Sequence, residues 1–100
     1  MDNQCQVGHD TIIGKNCLIG AFAAIAGVTI IEDDVLIWAR VAINKDIVIG
    51  SKATILATSA VDKSLAGGKV YMGSPAIEVR QYWKEQVSIK QLPELLKKLR

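Results

Sequence analysis

From Val7 onward an aliphatic residue recurs at every sixth position without a slip: Val7, Ile13, Ile19, Ile25, Ile31, Ile37, Ile43, Ile49, Ile55 and Val61. Two positions before each of them stands a small or β-branched residue: Cys5, Thr11, Cys17, Ala23, Thr29, Val35, Val41, Ile47, Ala53 and Ser59. An internal repeat of fixed period decides a fold before any local propensity does. A period of six suits neither an amphipathic helix nor one long alternating strand. It suits very short strands joined by turns, each strand pointing one aliphatic side chain inward. Gly8, Gly14, Gly20 and Gly50 follow the inward residue, where glycine would ease a sharp turn or a positive φ.

This pattern resembles the hexapeptide repeat of left-handed parallel β-helix acyltransferases. The resemblance implies that three hexads make one triangular coil and that residues 18 apart stack as parallel strands, roughly 4.8 Å from one another. The left hand comes from the resemblance alone, since parallel crossovers are ordinarily right-handed. The expected fold is mainly β, with a left-handed parallel β-helix over residues 1–66, a connector over 67–76 and an α-helical tail over 77–100. Within the connector, Gly67-Gly68 and Gly73-Ser74-Pro75-Ala76 break the period around a short extended piece. The latter resembles the Gly-x-Pro-Ala that follows the coils in many such transferases. The tail reads as a helix from about Ile77 to Ser88 and a second one opened by Pro93, with Leu92, Leu95, Leu96 and Leu99 on one stripe. Met1 stands in phase with the inward column and nothing precedes it. The expectation is therefore that the chain is the C-terminal part of something longer.

Half of the 100 residues are hydrophobic but only five are aromatic, which suits a narrow core of stacked Ile and Val. Three and a half coils bury little surface for one chain, so association is expected. The outward position of the repeat forms three columns: Ile12, Ile30, Val48; Leu18, Leu36, Thr54; and Gln6, Ala24, Ala42, Ala60. Outward aliphatic columns on a prism point to a subunit interface, and the resemblance implies a homotrimer. Cys5 and Cys17 occupy inward small positions on different faces, so they read as core fillers without a disulfide, and no zinc spacing is present. There is no signal peptide and no membrane-spanning run, which gives the expectation of a reduced, cytoplasmic protein. The basic residues do not cluster with aromatics, so nucleic acid is not an expected partner.

His9 is the only histidine. It stands at a turn, and histidine is the side chain best placed to take and return a proton near neutral pH. A surface turn residue is the plain alternative. The run Asp2-Asn3-Gln4-Cys5-Gln6-Val7-Gly8-His9-Asp10, with Ile13-Gly14-Lys15-Asn16 and Ile25-Ala26-Gly27, resembles the active-site stretch of the UDP-3-O-acylglucosamine N-acyltransferase family. That family moves a 3-hydroxyacyl chain from acyl carrier protein to the amine of a UDP-linked acylglucosamine in lipid A synthesis. The resemblance implies His9 as catalytic base and Gly27 as the backbone donor to the oxyanion. It also implies Asn3 and Gln6 near the sugar substrate, and no cofactor beyond the carrier-protein thioester. Independently, Gly27 lies 18 residues after His9 and so stacks in the same corner column, a frame that suits acyl transfer.

Two departures stand out. Where the family often carries a second histidine the chain reads Ile43-Asn44-Lys45-Asp46, so Asp46 is a substrate-binding candidate whose charge would repel a phosphate. The family's uridine-binding domain is also absent. Trp38 and Phe22 at corners either line an acyl groove or pack turns. Other readings are an acetyl-CoA-dependent sugar acetyltransferase and a non-catalytic trimeric β-helix module; a γ-class carbonic anhydrase needs three histidines around zinc. Residues 76–100 carry six basic and three acidic side chains, a net +3, which would suit acidic acyl carrier protein or simply a solvated helix face.

Overall fold

A computed structural model describes residues 4–99. Ten strands of two residues each follow one another: β1 (Gln6–Val7), β2 (Ile12–Ile13), β3 (Leu18–Ile19), β4 (Ala24–Ile25), β5 (Ile30–Ile31), β6 (Leu36–Ile37), β7 (Ala42–Ile43), β8 (Val48–Ile49), β9 (Thr54–Ile55) and β10 (Ala60–Val61). Every third strand pairs in parallel, giving three faces of a prism. The first face is β1-β4-β7-β10, the second β2-β5-β8, and the third begins β3-β6-β9. The register is the one the period predicts: Gln6 pairs with Ala24, Ile12 with Ile30 and Leu18 with Leu36, each 18 apart. The expected parallel β-helix is therefore the fold.

The inward residues do what the pattern requires. Ile31, Ile49, Ile55, Val35 and Ala53 are completely shielded from solvent. The core is a single cluster of such side chains, on the order of 1.5–3 kcal/mol of hydrophobic stabilisation for each large aliphatic one. Cys5 and Cys17 are free and half-buried, each thiol directed at a backbone carbonyl of the next coil, Gly20 and Glu32, at 3.0 Å.

Glycine plays a different part from the one expected. The left-handed residues at the corners are not Gly8, Gly14, Gly20 or Gly50 but the positions two further on, with φ near +60°: Asp10, Asn16, Phe22, Val28, Asp34, Arg40, Asp46, Lys52 and Thr58. The glycine at position 8 is required by close approach instead. A Cβ there would sit 2.4 Å from the Gly27 nitrogen. The coils draw together at these points: Gly8 N–H donates to Ile25 O at 2.7 Å, whereas Ala26 N–H donates to Ile43 O at 3.0 Å.

The repeat does not end where the period does. After Val61 the register shortens, so that Leu65 bridges to Ile49 and Tyr71 pairs with Ile55, each 16 residues on. The segment expected as a connector supplies β11 (Val70–Gly73), parallel to β9, and then β12 (Ala76–Glu78), antiparallel to β11. This hairpin extends the third face and covers its edge. Tyr71 is buried, its hydroxyl donates to Ala66 O at 2.8 Å, and burial pushes its phenol above the ordinary range.

The tail is one helix, α1 (Val79–Lys98), not two. Pro93 lies inside it. A proline removes one intrahelical bond and crowds the carbonyl four residues back, and the good helix formers Lys90, Gln91, Leu92, Glu94 and Leu95 carry the helix through. Ile77 and Glu78 belong to β12. No helix among the described residues is long and apolar enough to cross a membrane.

Candidate active site

The first face ends at a corner formed by Gly8-His9-Asp10, Ala26-Gly27-Val28 and Asn44-Lys45-Asp46. Backbone bonds stitch this corner from coil to coil. Val28 N–H donates to His9 O at 2.9 Å, and Asp46 N–H donates to Gly27 O at 3.2 Å. His9 and Gly27 are thus on adjacent coils in one column, as their spacing predicts, and Asp46 is on the coil beyond. Gly27 has to be glycine or shift, because a Cβ on it would lie 2.9 Å from His9 O. The His9 side chain is exposed and makes no hydrogen bond among the described residues.

The Gly27 amide is the second chemical feature. At three other corner positions this amide is capped by a side chain. Lys15 N–H donates to Asp33 Oδ1 at 2.8 Å, Ser51 N–H to Glu32 Oε1 at 3.0 Å, and Lys45 N–H to Asn44 Oδ1 at 2.9 Å. The positions that would cap Gly27 by the same three routes are Lys45, Gly8 and Ala26. None carries an acceptor, and among the described residues the Gly27 N–H makes no hydrogen bond. Among the described residues the amides of His9, Ala21, Asp33, Ala39 and Ala57 at this position are uncapped too, and of these only that of His9 shares the corner with the imidazole. An exposed imidazole beside a free backbone donor can accept a proton and stabilise an oxyanion at one point.

Beside this corner the first face is hollow. Its outward column is Ala24, Ala42 and Ala60 where the other faces carry Ile, Leu, Val or Thr, and the missing bulk leaves an open groove of about 940 Å³. Gln6, Asn44 and Asp62 add polar groups to it, and Ser74 and Pro75 close its far end. Gln6, expected from the sequence, is placed here; Asp46 is placed at the turn beside it. Asn3 lies outside the described residues. Asn44, Asp62 and Ser74 were not singled out from the sequence; Asn44 and Asp62 share the 18-residue column of Gly8, whereas Ser74 belongs to the β11–β12 turn, which no period marks. Trp38 and Phe22 do not touch this groove. They stand exposed at the corner between the third and first faces, where the Arg40 guanidinium lies 5.8 Å from the Phe22 ring centre.

Residues 10–30 match the hexapeptide repeat of succinyl-transferase. UDP-3-O-acylglucosamine N-acyltransferase of Methylobacterium sp. is 34% identical over 92 residues, 92% of this chain and 26% of that protein. The enzyme of the same name from Campylobacter lari is 39% identical over 89 residues, 89% of this chain and 28% of that protein. An Arabidopsis thaliana protein described as probable UDP-3-O-acylglucosamine N-acyltransferase 2, mitochondrial, is 34% identical over 87% of this chain and 28% of its own length. The chain thus spans about a quarter of the curated relatives it matches. The fold is shared with PerB from Caulobacter crescentus, crystallised with CoA and GDP-perosamine, at a TM-score of 0.69 and 16% identity, over 77% of this chain and 52% of that one.

Proposed function

We propose that this hexapeptide-repeat chain, similar over most of its length to a quarter of the UDP-3-O-acylglucosamine N-acyltransferases, is the catalytic part of an N-acyltransferase of that kind, acting in the cytoplasm in lipid A synthesis. The observation that carries the reading is the pairing of the exposed His9 with the uncapped Gly27 amide on the adjacent coil. In the proposed reaction the amine nitrogen of a UDP-linked acylglucosamine attacks the carbonyl carbon of a 3-hydroxyacyl thioester on acyl carrier protein. A C–N bond forms and the oxygen takes up negative charge facing the Gly27 N–H. His9 accepts the proton released by the amine. Collapse breaks the C–S bond, and His9 returns the proton to the departing thiolate. No protein nucleophile is required. The groove floored by Ala24, Ala42 and Ala60 suits a hydrocarbon chain, and Gln6 suits the sugar. Asp46, with Asn44 nearby, takes the place where a second histidine is often found.

The functional test is transfer of a 3-hydroxyacyl group to the UDP-sugar amine. Product formed from acetyl-CoA and not from the carrier-protein thioester would favour an acetyltransferase instead, and product from neither would favour a non-catalytic module.

A homotrimer is proposed as well, on the support of the outward columns. Ile12 and Leu18 are 62% and 66% exposed, and Ile30, Leu36 and Val48 extend the same two apolar stripes. Static light scattering at micromolar concentration is expected to give three times the chain mass; a monodisperse monomer would reject it.

The tail is proposed to meet acyl carrier protein. Helix α1 buries no side chain and leaves Trp83, Val87, Leu92, Leu95 and Leu96 exposed, with Lys97 and Lys98 in its last turn. Binding to an acidic partner should weaken steeply as salt shortens the Debye length from about 10 Å at 0.1 M. Removing residues 89–100 should weaken it further. Calorimetric titration that finds neither effect would count against the tail as the docking element.

A further inference from the structure

The inward position that carries Thr11 and Thr29 continues as Ile47 in the coil beyond. Hydroxyls therefore occupy this column in the two coils that also carry His9 and Gly27. Thr29 is completely buried in a core that is mostly Ile, Val, Leu and Ala. Burying a hydroxyl is unfavourable unless it is bonded, and both hydroxyls are bonded to the same atom. Thr29 Oγ1–H donates to Ala26 O at 2.8 Å and Thr11 Oγ1–H donates to Ala26 O at 3.3 Å. The alternative acceptor for Thr29, Asn44 O, is farther at 3.4 Å. No other carbonyl among the described residues receives two side-chain hydroxyls.

Ala26 C=O and Gly27 N–H are the two ends of one peptide unit. A trans peptide is planar, with its C=O and N–H directed oppositely. Pinning the carbonyl toward the core from two sides fixes the N–H toward the outside, where the His9 corner lies. Bonding at the carbonyl also polarises the unit and makes its N–H a stronger donor. We propose that Thr29, assisted by Thr11, is a positioning residue that orients and strengthens the Gly27 amide; this rests on reading Gly27 as the donor to the oxyanion.

Ser59 supplies the control. It is also buried and donates over the same short span, to Leu56 O at 2.8 Å, while its oxygen accepts Gly73 N–H at 3.2 Å, and it stands at the corner without a histidine. The experiment compares Thr29→Val, Thr29→Ser and Ser59→Ala in the 100-residue chain, by acyl-transfer kinetics and by the ¹⁵N–¹H resonance of Gly27. Deleting an oxyanion donor outright costs roughly 10²–10³-fold in kcat, so weakening one should cost about tenfold. Thr29→Val is expected to lower kcat by that factor with KM unchanged and to move the Gly27 ¹⁵N signal upfield. Thr29→Ser should restore both, and Ser59→Ala should leave both unmoved. If Thr29→Val lowers kcat no more than Ser59→Ala, or leaves the Gly27 resonance in place, the assignment is overturned. A parent chain without transfer even when joined to the N-terminal part of a relative would defeat the functional reading by itself. The Gly27 resonance would then decide the orienting role alone: upfield with Val and restored with Ser upholds it, unmoved overturns it.

Discussion

Ile31→Asp should abolish the cooperative thermal transition of this chain. Ile31 lies in β5, paired through Ile13 on one side and Ile49 on the other, and is fully shielded. Its carbonyl accepts Gly14 N–H at 2.7 Å. The carboxylate would have no partner in that column, and burying such a group costs several kcal/mol even when it escapes by taking up a proton. Losing the aliphatic side chain adds about 2–5 kcal/mol. Together these rival the whole stability of a small domain, about 5–15 kcal/mol. In a solenoid each coil is held mainly by its neighbours, so a break in the middle isolates the coils on either side. Ile12→Asp is the matched control. Ile12 pairs with Ile30, the residue before Ile31, points outward and is 62% exposed, so the same charge there should leave the melt of the single chain nearly unchanged while disrupting association. Because successive residues face opposite sides, the pair also tests the register: similar melts for the two variants would mean that the inward and outward columns are wrongly assigned.

That register was legible from the sequence because the same two positions of every hexad point inward and the period never varies between Val7 and Val61. The closing coil was not. Between Val61 and Leu65 the spacing shortens by two, which moves Leu65 and Tyr71 out of phase although both still stack on the inward column. A strict period cannot anticipate a shorter turn. Pro93 misled for a related reason: its place in the first turn of a new helix is a statistical preference, whereas continuation depends on the strong helix formers flanking it.

The candidate site divides in the same way. His9 and Gly27 were brought together by counting, since 18 residues return the chain to the same corner, whereas Asp46 was raised by the resemblance alone. Thr11 and Thr29 escaped notice because the small inward position also accepts Ala, Val, Cys and Ser in other coils. A hydroxyl there looks like a filler until its acceptor is known. The acceptor, Ala26 O, is set by backbone orientation at a corner where Val28 takes a left-handed φ of 59°. β-Branched residues rarely adopt that conformation, and no residue pattern announces it.

His9→Ala should lower acyl transfer by about 10²–10⁴-fold, the usual contribution of a general base, while leaving the assembly and its melting temperature intact. The separation is expected because the imidazole is exposed and bonded to nothing among the described residues, while the backbone of His9, which the substitution preserves, supplies the structural bond through its carbonyl to Val28 N–H. The chain spans about a quarter of its curated relatives, so the comparison is best made in a chimera that joins residues 1–100 to the N-terminal part of a relative. Transfer to the UDP-sugar amine would then be followed with the parent and His9→Ala chimeras at equal protein concentration. The loss should fall on kcat, since a proton acceptor acts in the transition state and contributes little to substrate binding. Added imidazole should restore part of the rate to the alanine variant, because the cavity left at an exposed corner is open to solvent. Gly27→Ala should also lose activity, but with a lower melting temperature, since its Cβ would press on His9 O. Equal turnover by the two His9 chimeras would make His9 an ordinary turn residue and remove the base from the proposed reaction. A large loss without rescue, accompanied by a lower melting temperature, would assign His9 to the fold rather than to the chemistry.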